Sequence, residues 1–142
     1  MSLLRAHASA TRQLNAQLSA DHGLTISDFE VLLRLAQSDE RRMRRVDLAG
    51  ELLLTASGMT RLLDGLERAG YVERGSCAGD RRVVYAVLTE AGLETLRAAA
   101  TTHFAQVDEL FCTRFEEQEL DELAALLSRL GGDGPAECEP PA

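Results

Sequence analysis

Apolar positions recur along this chain first at helical spacing, then at alternating spacing, then at helical spacing again. Leu4, Ala8, Thr11, Leu14 and Leu18 predict a first helix over residues 3–21, ending near Gly23. Ser27-Asp28-Phe29-Glu30 reads as a capping box that opens a second helix to about Gln37, with Phe29, Leu32, Leu33 and Leu35 apolar. Ser38 to Arg45 is a polar connector. A short apolar run from Leu48 to Leu52 precedes a second run from about Ala56 to Ala69. In the latter, Met59, Leu62, Leu63 and Leu66 face a core, Thr55 stands at the N-cap, and Gly70 stands where a helix end needs positive φ. The period then changes. Tyr71 to Arg74 and Arg82 to Leu88 suit strands, the second with Val83, Tyr85 and Val87 on one face, and Gly75 to Asp80 between them has hairpin-loop chemistry. Thr89 caps a long helix to about Phe115 along Leu93, Leu96, Ala100, Phe104, Val107 and Phe111. A last helix, about Glu117 to Leu130, carries Leu120, Leu123, Leu127 and Leu130.

Two helices joined by a few residues make a helix-turn-helix, and a β-hairpin after them makes it a winged helix. The fold class expected is therefore mainly α with a small β-hairpin wing. The first and last helices exceed what a winged helix needs for its own core. Their apolar stripes call for a partner, which a two-fold homodimer supplies, setting two reading helices roughly 34–36 Å apart. The expected organisation is one domain over 1–131. Within it, 1–22 and 90–130 are dimerisation helices and 27–89 the winged lobe, followed by a disordered Gly, Pro and acid tail over 132–142.

At 142 residues the chain can bury a real core. No apolar stretch reaches membrane-spanning length and the first residues lack a signal-peptide core, so a cytoplasmic location is expected. Three widely spaced cysteines, Cys77, Cys112 and Cys138, suggest reduced thiols. The net charge of −8 argues against a nucleic-acid partner until its distribution is examined. Residues 41–82 hold nine arginines against six acids, a local +3, while 1–40 stand at −2 and 83–142 at −9. Charges beyond about 10 Å are largely screened, so the local field decides. The chain has no lysine. Every basic contact is a guanidinium, suited to bidentate work on phosphate or guanine.

The runs LLLTASGMTRLLDGLERAGYVER and GDRRVVYAVLTEAG, with DHGLTISDFEVLLRLA upstream, resemble the MarR family of bacterial winged-helix regulators. The family's wing motif, D-x-R followed by L-T-x-x-G, is matched by Asp80, Arg82, Leu88, Thr89 and Gly92. Its reading-helix pattern S-x-x-T-R-x-x-x-x-L-E is matched by Ser57, Thr60, Arg61, Leu66 and Glu67. The resemblance implies terminal helices intertwined into a dimer and a regulator that binds a palindromic DNA operator.

On this reading Ser57, Thr60 and Arg61, early in the reading helix, meet bases or phosphates. Gly58 permits close approach to the DNA backbone. Asp80 orients the Arg82 guanidinium for a narrow minor groove, and Arg81 stands beside them at the wing tip. The arginine run 41–45 reads as a solvated loop. The resemblance further implies a small-molecule effector, such as an aromatic acid, between the dimer helices and the lobe. His7, Arg12 and His103 are the candidates to receive it, and His22 holds a structural position at a helix end. No metal-ligand pairing appears, and Cys77 in the wing is the one cysteine placed to act as a redox switch. No catalytic order of residues or cofactor fingerprint is present, so neither enzymatic activity nor a cofactor is expected. The competing class is a winged helix used for docking another protein.

Overall fold

The computed structural model describes residues 1–52 and 54–130; the tail over 132–142 and Cys138 lie outside the described residues. In chain order it runs α1 (Ser2–His22), α2 (Ile26–Gln37), a 3-10 turn (Asp39–Arg41), β1 (Arg42–Arg44), α3 (Arg45–Glu51), α4 (Ala56–Arg68), β2 (Val72–Cys77), β3 (Asp80–Leu88), α5 (Glu90–Cys112) and α6 (Glu117–Ser128). The strands form one antiparallel sheet in the order β1-β3-β2. This is the mainly helical winged-helix class that the periodicities predict.

Local chemistry explains most boundaries. Gly23 ends α1 at φ 67°, a left-handed conformation that glycine adopts without the Cβ clash. Gly70 does the same after α4, at φ 79°. The Thr55 hydroxyl accepts from the Gly58 N–H at 3.1 Å and the Thr89 hydroxyl from the Gly92 N–H at 3.0 Å, both as expected of N-caps.

Four expectations need correcting. The capping box of α2 is Thr25 with Asp28, not Ser27 with Glu30. The Asp28 N–H donates to the Thr25 hydroxyl at 3.1 Å and the Thr25 N–H to the Asp28 carboxylate at 2.8 Å. The polar connector contains a strand, because Arg42, Met43 and Arg44 pair with Val87, Ala86 and Tyr85. The hairpin is longer and tighter than expected. Strand pairing continues through Gly75 and Ser76, shifts register between Ser76 and Cys77, and leaves only Ala78 and Gly79 as the turn. Finally, α5 stops at Cys112 rather than near Phe115.

The core gathers Leu18 and Leu24, the α2 residues Phe29, Val31, Leu32 and Leu35, Leu48 of α3, Met59, Leu63 and Leu66 of α4, Val72 and Ala86 of the sheet, and Leu93 and Leu96 of α5. Each fully buried leucine contributes about 1.5–3 kcal/mol of transfer free energy. This single core fixes α4 and the sheet to the same support. The L-T-x-x-G stretch joins the sheet to α5. The Thr89 N–H donates to the Tyr71 carbonyl at 3.0 Å, its hydroxyl donates to the Gly70 carbonyl at 2.6 Å, and Leu88 is buried. A Cβ on Gly92 would stand 2.1 Å from the Tyr71 oxygen, so only glycine lets α5 start there.

The ends of the chain differ. No residue of α6 is buried, and Leu126, Leu127 and Leu130 are exposed, as are Leu3 and Leu4 on α1 and Phe115 between α5 and α6. Among the described residues no helix is long and apolar enough to cross a membrane.

Candidate nucleic-acid interface

Burial divides α4 into two faces. Met59, Leu63 and Leu66 point into the core, while Ser57, Thr60 and Arg61 are exposed on the other side. The Ser57 hydroxyl lies 3.2 Å from that of Thr55, and the Thr60 hydroxyl donates to the Ala56 carbonyl at 2.9 Å, leaving its lone pairs outward. Gly58 has a local reason that spacing does not suggest. A Cβ there would sit 3.1 Å from the Thr55 hydroxyl oxygen and crowd the cap that starts the helix.

At the wing, Asp80, Arg81 and Arg82 are exposed at the start of β3, beside the two-residue turn. Asp80 does not grip the Arg82 guanidinium. Its carboxylate accepts the Arg82 backbone N–H at 2.9 Å, so it shapes the strand entry and leaves the Arg82 guanidinium without an ion pair. A groove of about 250 Å³ is lined by Arg44, Arg45, Val46, Arg82, Val83 and Val84, joining the start of α3 to the wing strand. Val46 is 71 % exposed among these arginines.

The arginines differ in whether an acid already neutralises them. Arg41 pairs with Glu90 at 2.8 Å, Arg42 with Glu40 at 2.8 Å, Arg44 with Asp47 at 2.7 Å, and Arg45 with Glu67. Arg42 also lies over the Tyr85 ring, 5.0 Å from its centre. Among the described residues of the lobe, Arg61, Arg68, Arg81 and Arg82 have no ion pair, and Arg68 only donates its Nε–H to the Asp64 carbonyl at 3.2 Å. The free positive charge of the lobe therefore lies on α4 and on the wing. Two residues of the motifs prove to act inside the protein. Gly92 makes the close approach to Tyr71, and Glu67 receives Arg45 from α3. Their non-local partners give no signal in the chain.

The residues considered for an effector are dispersed. His7 and Arg12 are exposed on α1. His103 is half-buried on α5, its ring 4.6 Å from that of Phe29 and 5.7 Å from that of Phe104. Burial lowers its pKa below the usual histidine value, and its Nδ1 is enclosed without a hydrogen-bond partner. Among the described residues no hydrogen bond, ion pair or ring contact joins any two of the three. A cleft of about 180 Å³ between α1 and α5 is lined instead by Gln13, Gln106, Glu109, Leu110 and Arg114. His22 has the structural place expected, its Nε2 sharing a 2.8 Å hydrogen bond with the Thr102 hydroxyl. Cys77 is partly exposed in β2 and Cys112 exposed at the end of α5.

Known proteins share both the sequence and this geometry. A family profile described as MarR family matches residues 22–83. The HTH-type transcriptional regulator MhqR of Bacillus subtilis is 31 % identical over 130 residues, covering 91 % of this chain and 86 % of that protein. Among solved structures, the MarR family transcriptional regulator Sco3205 from Streptomyces coelicolor, crystallised in complex with DNA, superposes with a TM-score of 0.88 at 30 % identity. That match covers 99 % of this chain and 88 % of the other. AbsC, a MarR family transcriptional regulator from the same organism, gives 0.84 at 36 % identity, covering 91 % and 86 %. On the matched fold, the motifs and this extent of identity, the chain belongs to the MarR family of transcriptional regulators.

Proposed function

We propose that this chain regulates transcription by binding a palindromic operator in double-stranded DNA as a homodimer. In each copy α4 lies in the major groove, with Ser57, Thr60 and Arg61 at bases and phosphates and Gly58 at its N-terminal turn. The wing reaches the adjacent minor groove with Arg82 and the backbone with Arg81, while Asp80 sets the strand that carries them. The observation that carries this reading is the confinement of the lobe's un-neutralised guanidinium groups to those two elements. Only charge not already paired can replace counterions on phosphate. The exposed apolar residues of α1 and α6 support a second copy as the other partner, because isologous packing would cover both at once.

The reading extends to a repressor released by a small molecule such as an aromatic acid, received near His7, Arg12 and His103. Such a ligand must favour a lobe spacing that mismatches DNA, since equal affinity for both states shifts nothing.

Electrophoretic shift of the intergenic DNA upstream of the chain's own gene, run against a scrambled duplex through a salt titration, tests the core of the proposal. The expected result is a preferred complex carrying two copies, weakened by a subset of added aromatic acids. Absence of sequence preference at every salt concentration would leave a protein-docking module as the function instead. A monomer in sedimentation would remove the palindrome from the account.

A further inference from the structure

We propose that Glu67 is a positioning residue: its carboxylate sets α4 against both α3 and the wing, and thereby governs sequence discrimination rather than general attraction to DNA. This rests on the DNA-binding reading above. Glu67 lies in the last full turn of α4, where unsatisfied carbonyls make the helix end partially negative, so an acid is locally disfavoured there. Its environment supplies the compensation from two other elements. One carboxylate oxygen receives the guanidinium of Arg45, the first residue of α3, and the other lies 3.9 Å from the guanidinium of Arg74 on β2. The Arg45 and Glu67 side chains are only 18 % and 24 % exposed, which shields their pair from solvent and salt.

Three elements of the lobe thus meet at one carboxylate. It lies seven residues after Thr60 on α4, and the β2–β3 hairpin, of which Arg74 is the third residue, carries Arg81 and Arg82 at its far side. A duplex must meet the outer face of α4 and the wing together. Their relative placement decides whether base edges and minor groove are reached at once, whereas phosphate attraction tolerates misplacement.

Glu67→Gln separates these effects, because glutamine keeps the size and an acceptor for Arg45 but removes the charge. Dissociation constants are measured for the upstream intergenic duplex and for a scrambled duplex of equal length, alongside the thermal midpoint. The expected result is about tenfold weaker binding to the intergenic duplex, the scale of one good base contact. Binding to the scrambled duplex should hold or tighten, since a positive charge is released in each copy. The specificity ratio then collapses. A parallel fall of both affinities with the thermal midpoint marks a merely structural role and overturns the inference; so does a parallel rise of both, which marks a purely electrostatic one. Arg74→Gln alters an arginine that is 59 % exposed and leaves the fold intact, so it decides the matter even if Glu67→Gln does not fold. A smaller drop in the ratio supports the inference, and an unchanged ratio overturns it. If the unaltered chain shows no preference between the duplexes, the DNA reading fails and takes this inference with it.

Discussion

Arg41 to Arg45 and the set Arg61, Arg81 and Arg82 are one residue type in two settings. Every arginine of the first group is matched to a carboxylate, on Glu90, Glu40, Asp47 or Glu67. The second group has none among the described residues. By sequence the first group is the denser cluster and the more conspicuous basic feature. By structure it is internal wiring. It ties the connector to α5 through Arg41 and the two helices of the helix-turn-helix together through Arg45. The lesson is that local charge counted along a chain overstates what is available to a polyanion. An acidic protein can still present an interface wherever a few guanidinium groups escape pairing.

This contrast makes the two groups separable by substitution. The largest effect is expected from Arg82→Ala, with operator affinity falling on the order of 10- to 100-fold and the thermal midpoint unchanged. Arg61→Ala should act in the same direction. Retained affinity in both would break the contrast at its functional end. Next comes Arg45→Ala, which strands a partly buried Glu67 and should cost about 1–2 kcal/mol, seen as a midpoint lower by about 3–6 °C. An unmoved midpoint would mean that this pairing is ornamental. Arg42→Ala and Arg44→Ala remove exposed pairs, so the thermal midpoint should barely move and affinity should change by less than about threefold. A large drop in affinity from either would move it into the second group.

The smallest effect concerns the half-buried histidine. The pKa of His103 is depressed by burial, so the unfolded chain takes up a proton first as pH falls through the ordinary histidine range. Stability contributed by the neutral ring is thus present above that range and lost below it. His103→Phe, which keeps the packing on Phe29 and Phe104, should make the midpoint drop between about pH 7.5 and about pH 5.5 smaller. Calorimetry at the two pH values checks it.

What can be read from the chain follows the range of the interactions involved. Caps at Thr55 and Thr89, stops at Gly23 and Gly70, and the buried faces of α2, α4 and α5 depend on neighbours within a turn, so spacing alone locates them. The capping box is ambiguous by two residues because Ser27 and Glu30 offer the same pattern as Thr25 and Asp28. Only the second pair makes the reciprocal bonds. Strand β1 escapes the pattern because the alternation of Arg42, Met43 and Arg44 spans only three residues, too few to stand out from a polar connector; their order comes from pairing with Val87, Ala86 and Tyr85 far along the chain. The far half of the hairpin reads as loop because Gly75 and Ser76 lack a buried face. For the site, Arg61 and the wing arginines are legible through the family motif. That Asp80 serves the backbone and that Glu67 gathers Arg45 and Arg74 is not, since both depend on distances that spacing does not encode.

The most direct measurement is the salt dependence of binding to the upstream duplex, for the natural chain and for a variant with Arg61, Arg81 and Arg82 all changed to alanine. Each phosphate neutralised by the protein adds about 0.9 to the steepness of log affinity against log salt. Three free arginines in each of two copies therefore predict a slope shallower by roughly five in the variant. An equal slope for the two proteins would contradict the account, because it would place the DNA-facing charge on residues other than Arg61, Arg81 and Arg82.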